Sequence, residues 1–234
     1  MNLKILSLVI IGVCILLPDV CYAFLEKDVH LLNMQNGLAD NTVSAVYKDK
    51  EGFVWFGTRN GLSRYDGRQI TNFEQSNSYP SISNLKEVFD GVLAFVDNGV
   101  FSAFDLKKER FLSVVSSSGQ GIPSRGMLQK NDSLVWVISG SELHLMKRCA
   151  SKEGELRLRI QEKYTGWDNQ DNLLVAITYS SDKKSICLID EKGRIILLDT
   201  TNLNSFRVID LGRTGSLSVN SVLYDDGRIW ISTI

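Results

Sequence analysis

Two histidines, His30 and His144, are the imidazoles available for acid–base or metal chemistry in this 234-residue sequence. Neither stands in an H-x-H or H-E-x-x-H spacing, and no C-x-x-C pair accompanies them, so the motifs that preform a zinc site are missing. His144 sits between Leu143 and Leu145 in a strand-like run, where successive side chains point to opposite faces. A hydrogen-bonded strand histidine accounts for it, and the same reading holds for His30. No serine lies in G-x-S-x-G, and Ser139-Gly140-Ser141 reads as a hairpin turn. Gly119-Gln120-Gly121 follows three serines as a connector before Pro123, with no helix behind it to receive a phosphate. Asp66-Gly67 and Asp225-Asp226-Gly227 have backbone reasons for being in turns, and no D-x-D-x-D-G run turns them into a calcium loop. No metal and no cofactor is expected. The paired carboxylates of a glycosidase would meet in space rather than in sequence, so that chemistry stays open.

What remains is recognition by polar side chains on turns and connectors. Arg59 and Asn60, Asp97 and Asn98, the run Trp167-Asp168, and Arg213 are the candidates for contact with a ligand. Trp167 lies in the polar stretch Thr165–Gln170, where its ring could stack on a sugar or plug a gap between neighbouring units. Whether these residues converge depends on the elements that carry them.

The stretch Gly52–Gly67 reads as two short strands joined at Arg59-Asn60-Gly61, where Asn and Gly tolerate positive φ. Val43–Tyr47 precedes it as a further strand, and Ile70–Phe73 follows the Asp66-Gly67 turn. Four short antiparallel strands make one blade of a β-propeller. Degraded copies follow at Asp90–Asp105, Ser133–Met146, Ser185–Asp199 and Asp226–Thr233. Their step of roughly 38–50 residues matches the ~40–50 of four-stranded propeller repeats. Asn98-Gly99 is aligned with Asn60-Gly61, which puts Leu93 at the position of Trp55. Trp55, Trp136 and Trp230 recur at one position of the second strand, read as packing between blades, with Gly57 and Gly61 as structural glycines of the first unit. The expected architecture is all-β: a partial propeller of four-stranded antiparallel meanders. About four blades fall at 42–75, 82–115, 124–164 and 171–210, with an unfinished fifth at 217–234. Inter-blade connectors and the turns between second and third strands share one face around the shaft, which gathers the candidate residues there.

The first unit and its lead-in, Asn36-Gly37-Leu38 through Asn41-Thr42-Val43-Ser44-Ala45-Val46, then Gly52-Phe53-Val54-Trp55-Phe56-Gly57-Thr58 and Asn60-Gly61-Leu62-Ser63-Arg64-Tyr65-Asp66-Gly67, resemble the propeller repeat of periplasmic sensor regions in hybrid two-component regulators. The pattern returns at Val219–Thr233. The resemblance implies paired, often seven-bladed propellers followed by a β-sandwich, a membrane helix and a histidine kinase. It also implies oligosaccharide recognition by the loops or at a second domain. On that reading the chain is a truncated amino-terminal portion without the kinase. Val29-His30-Leu31-Leu32 is then the outer strand of a missing last blade, and open strand edges invite self-association.

Lys4, the apolar run Ile5–Leu17 and Cys21-Tyr22-Ala23 read as a secretory signal cleaved near Ala23, with residues 24–234 as one exported, periplasmic domain. The net charge of −1 and the absence of a basic stripe argue against nucleic acid. Cys149 and Cys187 lie in different units and are read as separate thiols. Three classes compete: a non-catalytic ligand sensor, favoured by the resemblance; an exported propeller lyase or glycosidase; and a protein-interaction scaffold.

Overall fold

The computed structural model describes residues 31–74, 80–167, 172–212 and 216–233. The expectations for residues 1–23, His30, Asp168 and Arg213 lie outside them. Alternating apolar and polar residues, rich in β-branched and aromatic side chains, form strands throughout. The first antiparallel meander comprises β1 (Val43–Lys48), β2 (Val54–Thr58), β3 (Gly61–Tyr65) and β4 (Ile70–Phe73). The second comprises β5 (Ile82–Phe89), β6 (Val92–Asp97), β7 (Val100–Asp105) and β8 (Arg110–Ser116). The third comprises β9 (Gly126–Asn131), β10 (Leu134–Ser139), β11 (Glu142–Cys149) and β12 (Glu155–Tyr164). The fourth comprises β13 (Leu174–Tyr179), β14 (Ser185–Asp190), β15 (Ile195–Asp199) and β16 (Phe206–Ile209), and a hairpin of β17 (Val219–Asp225) and β18 (Arg228–Thr233) follows. First strands touch in order, β1 to β5, β5 to β9, β9 to β13 and β13 to β17. The described residues form an all-β partial propeller: four meanders of four strands and two strands of a fifth.

Side-chain alternation explains the stacking. All six residues of β6 are buried, because both faces are covered. Leu93 and Phe95 join Trp55 and Leu62 of the first blade, while Val92, Ala94 and Val96 join Met127, Val135 and Val137 of the third. The pattern repeats in β10, where Trp136 and Ile138 face the fourth blade, and in β14, where Cys187 and Ile189 face the fifth. Cys187 is buried and Cys149 half-buried, both as free thiols, and burial pushes the Cys187 thiol up to about 12.

Three features depart from the sequence reading. The residue matching Trp55 in the second blade is Ala94, not Leu93. Thr58 pairs with Gly61 across Arg59-Asn60, and Asp97 pairs with Val100 across Asn98-Gly99. The two turns are therefore aligned one residue away from their shared Asn-Gly, and a slip of one residue exchanges the faces of a strand. Second, the outer strands of blades two and three pair in parallel, with Glu155–Leu158 of β12 beside Ser113–Ser116 of β8. The 10-residue β12 is long enough to serve both β11 and β8, and the contact covers two strand edges. Third, Leu31 and Leu32 are not in a strand. A 3-10 turn, Met34–Asn36, follows them, capped by Asn33 and ended by left-handed Gly37.

Gly57, in β2 of the first blade, faces the residue that begins blade two. A Cβ there would meet Cγ2 of buried Ile82 at 2.6 Å and the Ile82 carbonyl oxygen at 3.2 Å. Its φ is not left-handed, so packing alone excludes a side chain. Gly57→Ala is expected to cost about 1–3 kcal/mol in urea unfolding, as overpacking does. In a double-mutant cycle much of that cost disappears in an Ile82→Ala background. Full additivity would show that the contact is not the cause.

Candidate functional site: the mouth of the shaft

The antiparallel meanders put two sets of loops at opposite ends. At one end the turns β2–β3, β6–β7 and β14–β15 join the connectors that enter each blade. Connectors and turns are knitted together by backbone bonds. Ser124 N–H donates to the Gly99 carbonyl at 2.8 Å, Leu174 N–H to Gly140 at 2.9 Å, and Leu217 N–H to Glu191 at 2.5 Å.

This end holds an open cavity of about 630 Å³ to which all five blades contribute. The first supplies Ser44; the second supplies Ser83, Asn84 and Gly99; the third supplies Ser124 and Arg125. The fourth supplies Val175 and Glu191, and the run Ser216–Val219 enters the fifth. Its polar groups are serine hydroxyls and the Asn84 amide, with one cation and one carboxylate, set among Val96, Val175, Leu217 and Val219. Arg125 is exposed and has no ion-pair partner among the described residues. Asn84 has φ 53, the left-handed region, inside an irregular stretch of β5. Its amide Nδ2 donates to the Arg125 carbonyl at 3.2 Å, tying the second blade's inner strand to the third blade's connector. A non-glycine residue held there costs of order 1 kcal/mol or more, and such strain concentrates at functional sites.

The turn carrying Glu191 is held from below. Asp190 is fully buried, and its carboxylate accepts from the backbone N–H groups of Lys192 and Arg194 at 2.9 Å each. It also accepts from Arg194 Nε at 2.7 Å and Nη2 at 2.6 Å.

The sequence-derived candidates separate into groups. Arg59 and Asn60 are exposed on the β2–β3 turn at this end, and Asn60 Nδ2 donates to the Ala39 carbonyl at 3.5 Å. Asn98 is exposed next to Gly99 in the cavity wall, with φ 48. Asp97 is 5 % exposed and turned inward. Its Oδ1 accepts from Ser81 N–H at 3.0 Å and from Asn98 Nδ2 at 3.1 Å, so it shapes the turn. Trp167 packs against the core of blades three and four, its indole N–H donating to the Ser141 carbonyl at 3.1 Å and its ring edge-on to Phe206. That is the plug arrangement. His144 bonds Glu142 at 2.6 Å, and Lys163 shares the same carboxylate oxygen at 3.2 Å. These contacts hold the Glu142 carboxyl below the usual carboxylate range, the His144 bond first.

Sequence reading missed Ser44, Ser83, Asn84 and Ser218. Their signal is positional: each lies at or beside the start of a blade's first strand, which a register from the second and third strands does not fix.

At the opposite end, a cleft of about 480 Å³ lies between blades one and two, walled by the β1–β2, β5–β6 and β7–β8 turns. Each of its three cations is paired within the protein. Lys50 pairs with Glu87 at 3.1 Å, Lys107 with Asp90 at 3.0 Å, and Arg64 with Glu109 at 2.5 Å. The Arg64 guanidinium also lies over the rings of Phe53, Trp55 and Phe73. This cleft has the character of a structural seam.

Among the described residues no group of three or more His, Cys, Asp or Glu could hold a metal ion, and no helix is long and apolar enough to cross a membrane.

Radially stacked blades around a shaft place the chain among β-propellers, and solved structures agree. The extracellular domain of a hybrid two-component system from B. thetaiotaomicron superposes with TM-score 0.61 at 18% identity, covering 87% of this chain and 29% of that one. The extracellular domain of a one-component system from the same organism gives 0.62 at 15%, covering 88% and 30%. A catalytically inactive virginiamycin B lyase from Staphylococcus aureus gives 0.56 at 12%, covering 84% and 64%. At these identities the likeness establishes the fold. Within that class, residues 37–60 match the sequence profile of the two component regulator propeller family. The matched segment is the lead-in, β1, β2 and the turn bearing Arg59 and Asn60. No curated protein matches the chain in sequence. The chain spans under a third of the length of the two extracellular domains.

Proposed function

We propose that this chain is a non-catalytic, exported ligand-sensing module of a two-component regulator, which takes up an oligosaccharide at the shaft mouth and passes the signal to a histidine kinase. The observation that carries the reading is the convergence of polar groups from five blades on one open cavity. Serine hydroxyls, the Asn84 amide and the Arg125 guanidinium match the donors and acceptors of a polyhydroxylated ligand, as polar groups on a rigid scaffold do. Arg59, Asn60 and Asn98 extend the contact surface along the rim, and Asp97 holds the Asn98 turn in place. Binding at the mouth would add ligand-mediated contacts to the stacked faces and backbone bonds that already join the blades, giving the scaffold a differential response to ligand. The two component regulator propeller match at residues 37–60 and the extracellular domains of similar fold support export and sensing.

The test is calorimetry of the full chain against an oligosaccharide panel, with chromatography of the recovered sugars. The expected result is saturable binding, intact sugars, and a loss of about tenfold or more in Arg125→Ala, the size of a charge-assisted hydrogen bond. Shortened products would select a propeller lyase or glycosidase instead. Absence of both binding and cleavage would leave an interaction scaffold and end the saccharide reading.

A further inference from the structure

Below the mouth the shaft narrows to a second cavity of about 250 Å³, walled by the first strands β1, β5, β13 and β17. Ser44, Asn84, Val175 and Val219 line both cavities, so the two are continuous. Val46, Ala176, Ile177 and Val222 stand in its wall beside Ser44, Asn84 and Ser221. Lys86, two residues beyond strained Asn84, lines it as well.

Lys86 is unusual for a lysine. It is only partly accessible, it sits between Leu85 and Glu87 in the strand Ile82–Phe89, and no hydrogen bond or ion pair holds it among the described residues. At the far end, Lys50 and Lys107 each have a carboxylate within reach. Burial alone lowers the Lys86 pKa, with no carboxylate opposing it. The charged groups lining the two cavities are Lys86, Arg125 and Glu191, and Glu191 belongs to the mouth rather than the inner chamber. A half-buried ammonium without a counter-charge is costly, and an incoming anion would relieve that cost.

We infer that Lys86 anchors an anionic substituent of the ligand within the shaft, so that the sugar recognised is an acidic one, carrying a carboxylate or a sulfate. The inference rests on the saccharide reading above. The neutral part of the ligand lies against the serines and Asn84 at the mouth, and the charged substituent points down the shaft. A carboxylate and a sulfate present the same acceptor oxygens to an ammonium group. They differ in the source of the sugar, uronic acid or sulfated hexosamine.

The experiment uses the full chain with its lysines dimethylated by ¹³C-formaldehyde, which preserves their charge. Glucuronate, N-acetylglucosamine 6-sulfate and glucose are titrated in turn, and the Lys86 methyl signal is assigned by its loss in Lys86→Met. The expected result is a saturable shift of that signal with one or both acidic sugars and none with glucose. A response to glucuronate alone assigns a uronic acid, and a response to the sulfated sugar alone assigns a sulfated one. In unlabelled protein, Lys86→Met should weaken acidic-oligosaccharide binding about tenfold or more and leave neutral-sugar binding unchanged, while Lys86→Arg retains most of it. An unmoved Lys86 signal, or equal affinity in Lys86→Met, overturns the inference. If neutral sugars still bind in that case, the saccharide reading survives alone; if no sugar of either kind binds, both fall.

Discussion

Trp136→Ala is expected to lower the unfolding free energy by about 3–5 kcal/mol, whereas Trp230→Ala changes it by no more than about 0.5 kcal/mol. The two tryptophans hold the same position in their blades. Trp136 pairs with Leu145 on β11, and Trp230 pairs with Leu223 on β17, each on the second strand counted from the shaft. Their surroundings differ. Trp136 is 1 % exposed, packed between blades three and four against Ile177, Ile186 and Leu198, with its indole N–H donated to Tyr179 at 3.1 Å. Trp230 is 61 % exposed, because it faces away from blade four and no described residue stacks on that side. Truncating the first leaves a cavity and orphans the Tyr179 hydroxyl contact. Truncating the second removes surface already in water. Urea unfolding of both variants measures the difference. Equal costs would mean that blade stacking is not what stabilises the repeat.

Asp190→Ala is the second large effect, about 3–5 kcal/mol, since it removes a buried carboxylate that accepts from the Arg194 guanidinium and from two backbone N–H groups. The Arg194 side chain is 15 % exposed, so water cannot fully replace the lost partner. The backbone N–H groups of Lys192 and Arg194 lose their acceptor as well. A paired Asp190→Ala, Arg194→Met variant is expected to recover part of the stability and no more, because those two N–H groups stay unsatisfied. The same substitution should weaken sugar binding, since the turn it supports carries Glu191, whose carbonyl receives Leu217 N–H at the mouth. Wild-type affinity in a folded Asp190→Ala variant would separate this turn from the site.

The first blade was legible almost residue by residue, because its strands alternate cleanly and its turns carry Asn, Gly and Asp where the backbone needs them. Expected strands at Val43–Tyr47 and Ile70–Phe73 appear at Val43–Lys48 and Ile70–Phe73. The second blade was read one residue out of phase. Its Asn-Gly turn looks like the first blade's, yet Asn98-Gly99 occupies the places of Arg59-Asn60, and only pairing reveals that. Ala94 and Cys187 stand where other blades have tryptophan, so composition could not restore the phase. The parallel contact of β12 with β8 was beyond reach for a different reason: it depends on two outer strands meeting in space, and no local pattern encodes it. The site was legible at the level of which loops share a face. It was not legible residue by residue, because Ser44, Ser83, Asn84 and Lys86 belong to first strands, whose shaft-lining role appears only when the blades are assembled.

The most direct measurement is a crystal structure of the full chain soaked with an acidic oligosaccharide that binds in calorimetry. The account predicts electron density for sugar at the end of the shaft between Asn84, Arg125 and Ser218, with the anionic substituent beside Lys86. Density in the charged cleft between blades one and two, near Arg64 and Glu109, would contradict it.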